Sequence, residues 1–89
     1  MTKFIGRIQE IYTEKVFKTH TNRHIEKEVV ILKMEQNQHI SVQFQGEQRK
    51  LLEGYRENQE VIIEGIFNGQ RTSKRFYDNI IGKSIVKFN

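Results

Sequence analysis

Short apolar runs with a two-residue period dominate this chain, and that period admits strands rather than helices. Ile40, Val42 and Phe44 alternate with Ser41, Gln43 and Gln45, so one face of the segment is apolar and the other polar. Val61, Ile63, Gly65 and Phe67 alternate in the same way with Ile62, Glu64 and Ile66. Val29-Val30-Ile31-Leu32 is a continuous, mostly β-branched run, the pattern of a strand buried on both sides. Ile5, Ile8 and Ile11 mark a first strand over residues 4–12, where Gly6 suits a bulge or a bend. A last strand runs from Ile80 towards Phe88.

The connecting segments differ in character. Residues 13–24 are polar and basic and read as a loop. Residues 35–38 are a turn by composition, and Gly46 ends the third strand. Residues 48–55 form the one helical stretch, with Leu51, Leu52 and Tyr55 on one face. The helix is short and Gly54 weakens its end, so packing must hold it. Asn58 and Gln59 turn the chain into the fourth strand. Between strands four and five, Asn68-Gly69 and Thr72-Ser73-Lys74 compete as the hairpin tip, and the later tip is favoured.

Size and composition narrow the choice. Eighty-nine residues make one domain, expected to span residues 1–89. A chain of this length buries only about 60% of its unfolded surface, so it needs closure or partners. There is no cysteine, which excludes disulfides and cysteine-built zinc sites. No stretch approaches the roughly 20 apolar residues of a membrane span. The first residues lack the apolar run of a signal peptide. A soluble, cytoplasmic protein is expected. Five short strands with a helix after the third predict an all-β OB-fold, a five-stranded Greek-key barrel with one short helix between strands three and four. Val30, Leu32, Ile62 and Ile66 are expected opposite the lumen, against the helix or in a subunit interface.

The chain resembles small bacterial single-stranded-DNA-binding OB proteins of the primosomal replication protein N type, and an uncharacterised bacterial OB family of similar length. That family carries aromatic-Tyr-Asn-Asn-Leu at the start of its last strand, matched here by Phe76-Tyr77-Asp78-Asn79-Ile80. Its third strand ends in alternating apolar residues and a glycine, as residues 40–46 do, and its opening strand matches loosely at residues 4–8. The family often has tryptophan where this chain has His24, Gln45, Phe76 and Lys83, and Val86-Lys87-Phe88-Asn89 is basic and apolar, unlike the acidic tail of bacterial single-strand-binding proteins. The resemblance implies a role in DNA replication, restart, recombination or plasmid and phage DNA metabolism.

Charge placement agrees with a nucleic-acid partner. Fifteen Lys and Arg oppose eleven Asp and Glu, for a net charge of +4. Arg71, Lys74, Arg75, Phe76 and Tyr77 put three cations and two rings in one hairpin. Cations neutralise phosphates, and rings stack on unpaired bases. Lys15, Phe17, Lys18, Arg23 and His24 interleave charge and rings in the first loop, which flanks the binding face of an OB-fold. Ser41, Gln43 and Gln45 are expected outward on strand three, where amides can both donate to and accept from bases, with Lys27 and Lys33 of strand two within reach of the same face. The bland readings are a solvated hairpin whose rings finish the core, a disordered polar loop with Phe17 tucked under it, and a plain solvated face on strand three.

His20 and His24 are four apart, but Thr21-Asn22-Arg23 between them forms helix poorly and no third ligand is evident, so no metal is expected. No apolar-pocket carboxylate pair, nucleophile constellation or phosphate-cradling glycine loop is evident, so neither enzymatic activity nor a cofactor is expected. The expectation is a non-sequence-specific single-stranded-DNA binder, acting as a homodimer or higher homo-oligomer with a replication protein as a possible partner. The alternatives are an RNA-binding OB-fold and a protein-interaction adaptor. A different small barrel, such as an SH3-like one, would lack the helix over residues 48–55.

Overall fold

The computed structural model describes residues 1–67 and 80–88. Five strands close into a barrel: β1 (Thr2–Lys18), β2 (Arg23–Lys33), β3 (His39–Gln45), β4 (Glu60–Phe67) and β5 (Ile80–Lys87), in the spatial order β1-β2-β3-β5-β4. All pairs are antiparallel except β3 with β5, which meet in parallel over Val42↔Ile80 and Gln43↔Ile81. That short contact completes the ring, and closure removes the sheet edges a small β-domain would otherwise expose.

The lumen holds the alternating residues that the sequence marked. Ile40, Val42 and Phe44 of β3, with Val61 and Ile63 of β4, are buried together with Phe4, Ile8, Ile80 and Ile85. Burial of the Val29–Leu32 run is likewise as expected: Val29, Val30 and Leu32 are buried and Ile31 is half-buried. Val30 and Leu32, however, point into the lumen, not away from it. A continuous apolar run carries no alternation, so it cannot reveal which parity faces inward. Ile62 and Ile66 do lie on the outer side, half-buried and exposed respectively. Phe67 keeps the parity of Val61 and Ile63, because the register shift between Glu64 and Gly65 adds its extra residue, Lys83, to β5; it pairs with Ile80 and meets Phe4 edge-on at 6.1 Å, but at the end of β4 it is exposed.

Two glycines permit close approach inside the barrel. At Gly82 a Cβ would lie 2.4 Å from Cζ of Phe44, so the absence of a side chain makes room for that ring. At Gly6 a Cβ would lie 2.5 Å from the Lys33 carbonyl oxygen, so β1 and β2 can cross closely there. The bulge itself is three residues on, between Ile8 and Glu10.

The bulge explains the shape of β1. Thr2–Arg7 pair with β4, and from Arg7 onward the strand pairs with β2 as far as Lys18. β2 pairs with β3 only from Lys27. The remainder of β1 and β2 therefore projects past the barrel as a two-stranded ribbon. Residues 13–24, expected as a loop, are mostly this ribbon, and only residues 19–22 turn, with Asn22 at φ +56°. Cross-strand pairs hold it: Lys15 with Glu26 at 3.7 Å, Phe17 with His24 at 4.9 Å between ring centroids, and Val16 opposite Ile25.

The expected helix is a 3-10 helix over Gly46–Leu52. Seven residues are too few to sustain an α-helix alone. Its tighter period aligns residues three apart, so Arg49 and Leu52 share a side. Leu52 is buried, whereas Leu51 is exposed. The Tyr55 hydroxyl donates to the Ile85 carbonyl at 3.3 Å, fastening this segment to β5.

Candidate nucleic-acid interface

Strand alternation sorts the candidate residues onto two faces of the β1–β2 ladder. The face continuous with the lumen carries Ile11 and Val30, then Thr13 and Glu28, Lys15 and Glu26, Phe17 and His24. The outer face carries Glu10 and Ile31, Tyr12 and Val29, Glu14 and Lys27, Val16 and Ile25, Lys18 and Arg23. β3 extends the outer face with Ser41, Gln43 and Gln45.

The inner side of the ribbon is charge-balanced. Arg49 reaches up from the 3-10 helix to Glu26 at 3.3 Å and Glu28 at 3.1 Å. Thr13 donates to Glu28 at 2.8 Å, and Lys15 pairs with Glu26. Two cations thus meet two carboxylates. Lys15, Phe17 and His24 belong to this side, so they do not share a surface with Lys18, Arg23 and Lys27.

The outer side is cationic. Lys27 is its fixed centre: the residue is half-buried, and its amine lies 3.5 Å from Glu14 and donates to Gln43 Oε1 at 3.1 Å. Gln45 Nε2 donates to the same oxygen at 3.2 Å. The strand-three amides and Lys27 therefore form one network, and the sequence placed all three on that face. Lys18 and Arg23 lie at the ribbon tip and make no ion pair among the described residues.

Tyr12 and Val29 complete the surface. Val29 is 2% exposed yet stands outside the lumen cluster, giving this face an apolar floor. Opposite it in register, Tyr12 is 40% exposed. Sequence reasoning passed over Tyr12 because the first strand was ended there. Its parity with Val16 and Lys18 was the available signal, once the strand is taken past residue 12.

Arg71, Lys74, Arg75, Phe76 and Tyr77 lie outside the described residues. His20 falls in the turn and His24 on β2, so the two are not on a helix. Among the described residues no three His, Cys, Asp or Glu side chains are grouped to hold a metal, and no helix is long and apolar enough to cross a membrane.

No protein-family model matches this chain, and neither the curated proteins nor the solved structures compared with it provide a match.

Proposed function

We propose that the protein is an OB-fold module that binds single-stranded DNA with little sequence preference through the outer face of β1, β2 and β3. One observation carries the reading. That face gathers Lys18, Arg23 and Lys27 with two carboxylates, Glu10 and Glu14, around an exposed Tyr12 ring and the Gln43–Gln45 amides, and only Glu14 is paired with one of these cations. Phosphates take the cations, unpaired bases take the ring, and amides adapt to any base edge. Duplex DNA hides its base faces and uses only the charge.

The strand order supports the OB-fold. β1 closes on both β2 and β4, while β3 meets β5 in parallel, as a five-stranded Greek-key barrel requires. The setting that fits is cytoplasmic DNA replication, recombination or mobile-element metabolism, alongside replication proteins and without catalysis. Self-association also has support. Ile5, Ile62 and Val86 lie in one register row on the outside of β1, β4 and β5, and Ile5 and Val86 are about half exposed.

Competition of a labelled thymine homopolymer with unlabelled single strand, duplex and matched RNA tests the reading. Single-stranded DNA displaces the probe at the lowest concentration. Equal displacement by RNA moves the assignment to an RNA-binding OB-fold. No binding of the probe at modest salt removes it in favour of a protein-interaction adaptor, for which the apolar row is the docking surface.

A further inference from the structure

Arg7↔Lys33 and Lys18↔Arg23 are the first and last rungs of the β1–β2 ladder, and each opposes two cations. The charged rungs between them that oppose charge to charge, Glu14↔Lys27 and Lys15↔Glu26, join opposite signs and are closed as ion pairs. Like charges directly opposite one another destabilise a ladder. Glu60 compensates Arg7 at 3.2 Å, but Lys33 makes no ion pair among the described residues, and its other sheet neighbour is His39. Lys33 has the same parity on β2 as Arg23, Lys27 and Val29, so both cationic rungs lie on the outer face, at its two ends.

The Arg7–Lys33 end is also concave. Arg7, Lys33 and Gln9 line a cleft of about 560 Å³ together with the carboxylates of Glu35 and Glu60 and the Phe88 ring, 43% exposed; Glu60 is held by Arg7, and Glu35 makes no ion pair with Lys33. A ring beside a pair of cations matches the two surfaces of a nucleotide, its base face and its phosphate.

We infer that Arg7 and Lys33 form a second phosphate-contact site and that a single strand lies lengthwise along β2, spanning both cationic rungs. This rests on the proposed single-strand binding and adds to it a minimum ligand length. Arg23 and Lys33 are ten positions apart, which at about 3.3 Å per residue is roughly 33 Å. That span takes about ten nucleotides at the ~3.4 Å repeat of a stacked strand and about half as many when the strand is stretched, within the ~4–16 nucleotides of OB-type sites.

The test is a length series of thymine homopolymers, from about four to about sixteen nucleotides, titrated against the full chain and against R7Q/K33Q. Melting temperature serves as the folding control. Both side chains are on the surface and the like-charge rung is relieved, so the variant melts no lower than R7Q alone. The unsubstituted chain gains affinity steeply between about five and about ten nucleotides and then levels off. R7Q/K33Q binds the shortest strands as the unsubstituted chain does, loses the gain, and shows a salt slope shallower by about 1.4 on long strands. A length curve without that rise, or one that R7Q/K33Q reproduces, overturns the second site while leaving single-strand binding intact. Absence of binding at every length overturns the underlying reading as well.

Discussion

Lys27 donates to Gln43 across the β2–β3 pair at 3.1 Å while Glu14 holds the same amine from the other side at 3.5 Å. A cation clasped between two strands cannot swing freely, so less side-chain entropy is lost when a phosphate reaches it. K27M keeps the stem and removes the charge. It weakens single-strand binding and makes the salt slope shallower by about 0.7, the share of one phosphate contact. A titration at several salt concentrations reads both. An unchanged slope would place Lys27 outside the contact surface.

Tyr12 is the exposed ring at the centre of the outer face, and Phe17 is the exposed ring on the inner side. Y12A loses about 1–3 kcal/mol of binding, roughly five- to 150-fold in affinity, if the ring stacks on a base. Y12F retains it, because stacking uses the ring face and not the hydroxyl. F17A, at the ribbon's inner face, leaves affinity within about twofold. Quenching of tyrosine fluorescence on binding, lost selectively in Y12F, gives a direct signal from the same position.

Gly82 and Phe44 test the barrel itself. A methyl group at Gly82 would come within 2.8 Å of three ring atoms of Phe44, and the ring is fully buried. G82A destabilises by about 1–3 kcal/mol, the usual range for overpacking. In a domain this size that lowers the melting temperature by roughly 4–8 °C per kcal/mol. F44L in the same chain recovers part of the loss, because a smaller side chain vacates the contested volume.

Arg49 ties the ribbon to the barrel end through Glu26 and Glu28. The guanidinium is a third exposed, so the pairs add modest stability, about 1 kcal/mol or less. The larger effect of R49A is local. Amide exchange over residues 11–18 and 23–28 accelerates, while exchange over β4 stays as it was. Uniform acceleration would mean that Arg49 supports the whole barrel.

What the sequence disclosed follows from where binary patterning operates. Ile40, Val42 and Phe44 had one apolar face and one polar face, so strand and orientation were both readable. Val30 and Leu32 sat in a run apolar at every position, which identifies a buried strand and leaves its parity open. Residues 13–18 offered no apolar face, because a ribbon beyond the barrel has no core to cover, and they read as a loop. The information there was cross-strand: Glu14 against Lys27, Lys15 against Glu26 and Val16 against Ile25 specify a ladder only when both strands are aligned. The same omission concealed Tyr12 and merged the candidate cations into one trough, when alternation divides Lys15 from Lys18 and Arg23.

The central claim is that the outer face, and not the ribbon as a whole, grips single-stranded DNA. Paired charge-removal variants measure it most directly: K18Q/R23Q/K27Q on the outer side and K15Q on the inner, each titrated with a thymine homopolymer across salt. The account predicts that the outer variant weakens binding severely and makes the salt slope shallower by about 2, while K15Q matches the unsubstituted chain. Equal losses in both variants, or none in the outer one, would contradict it.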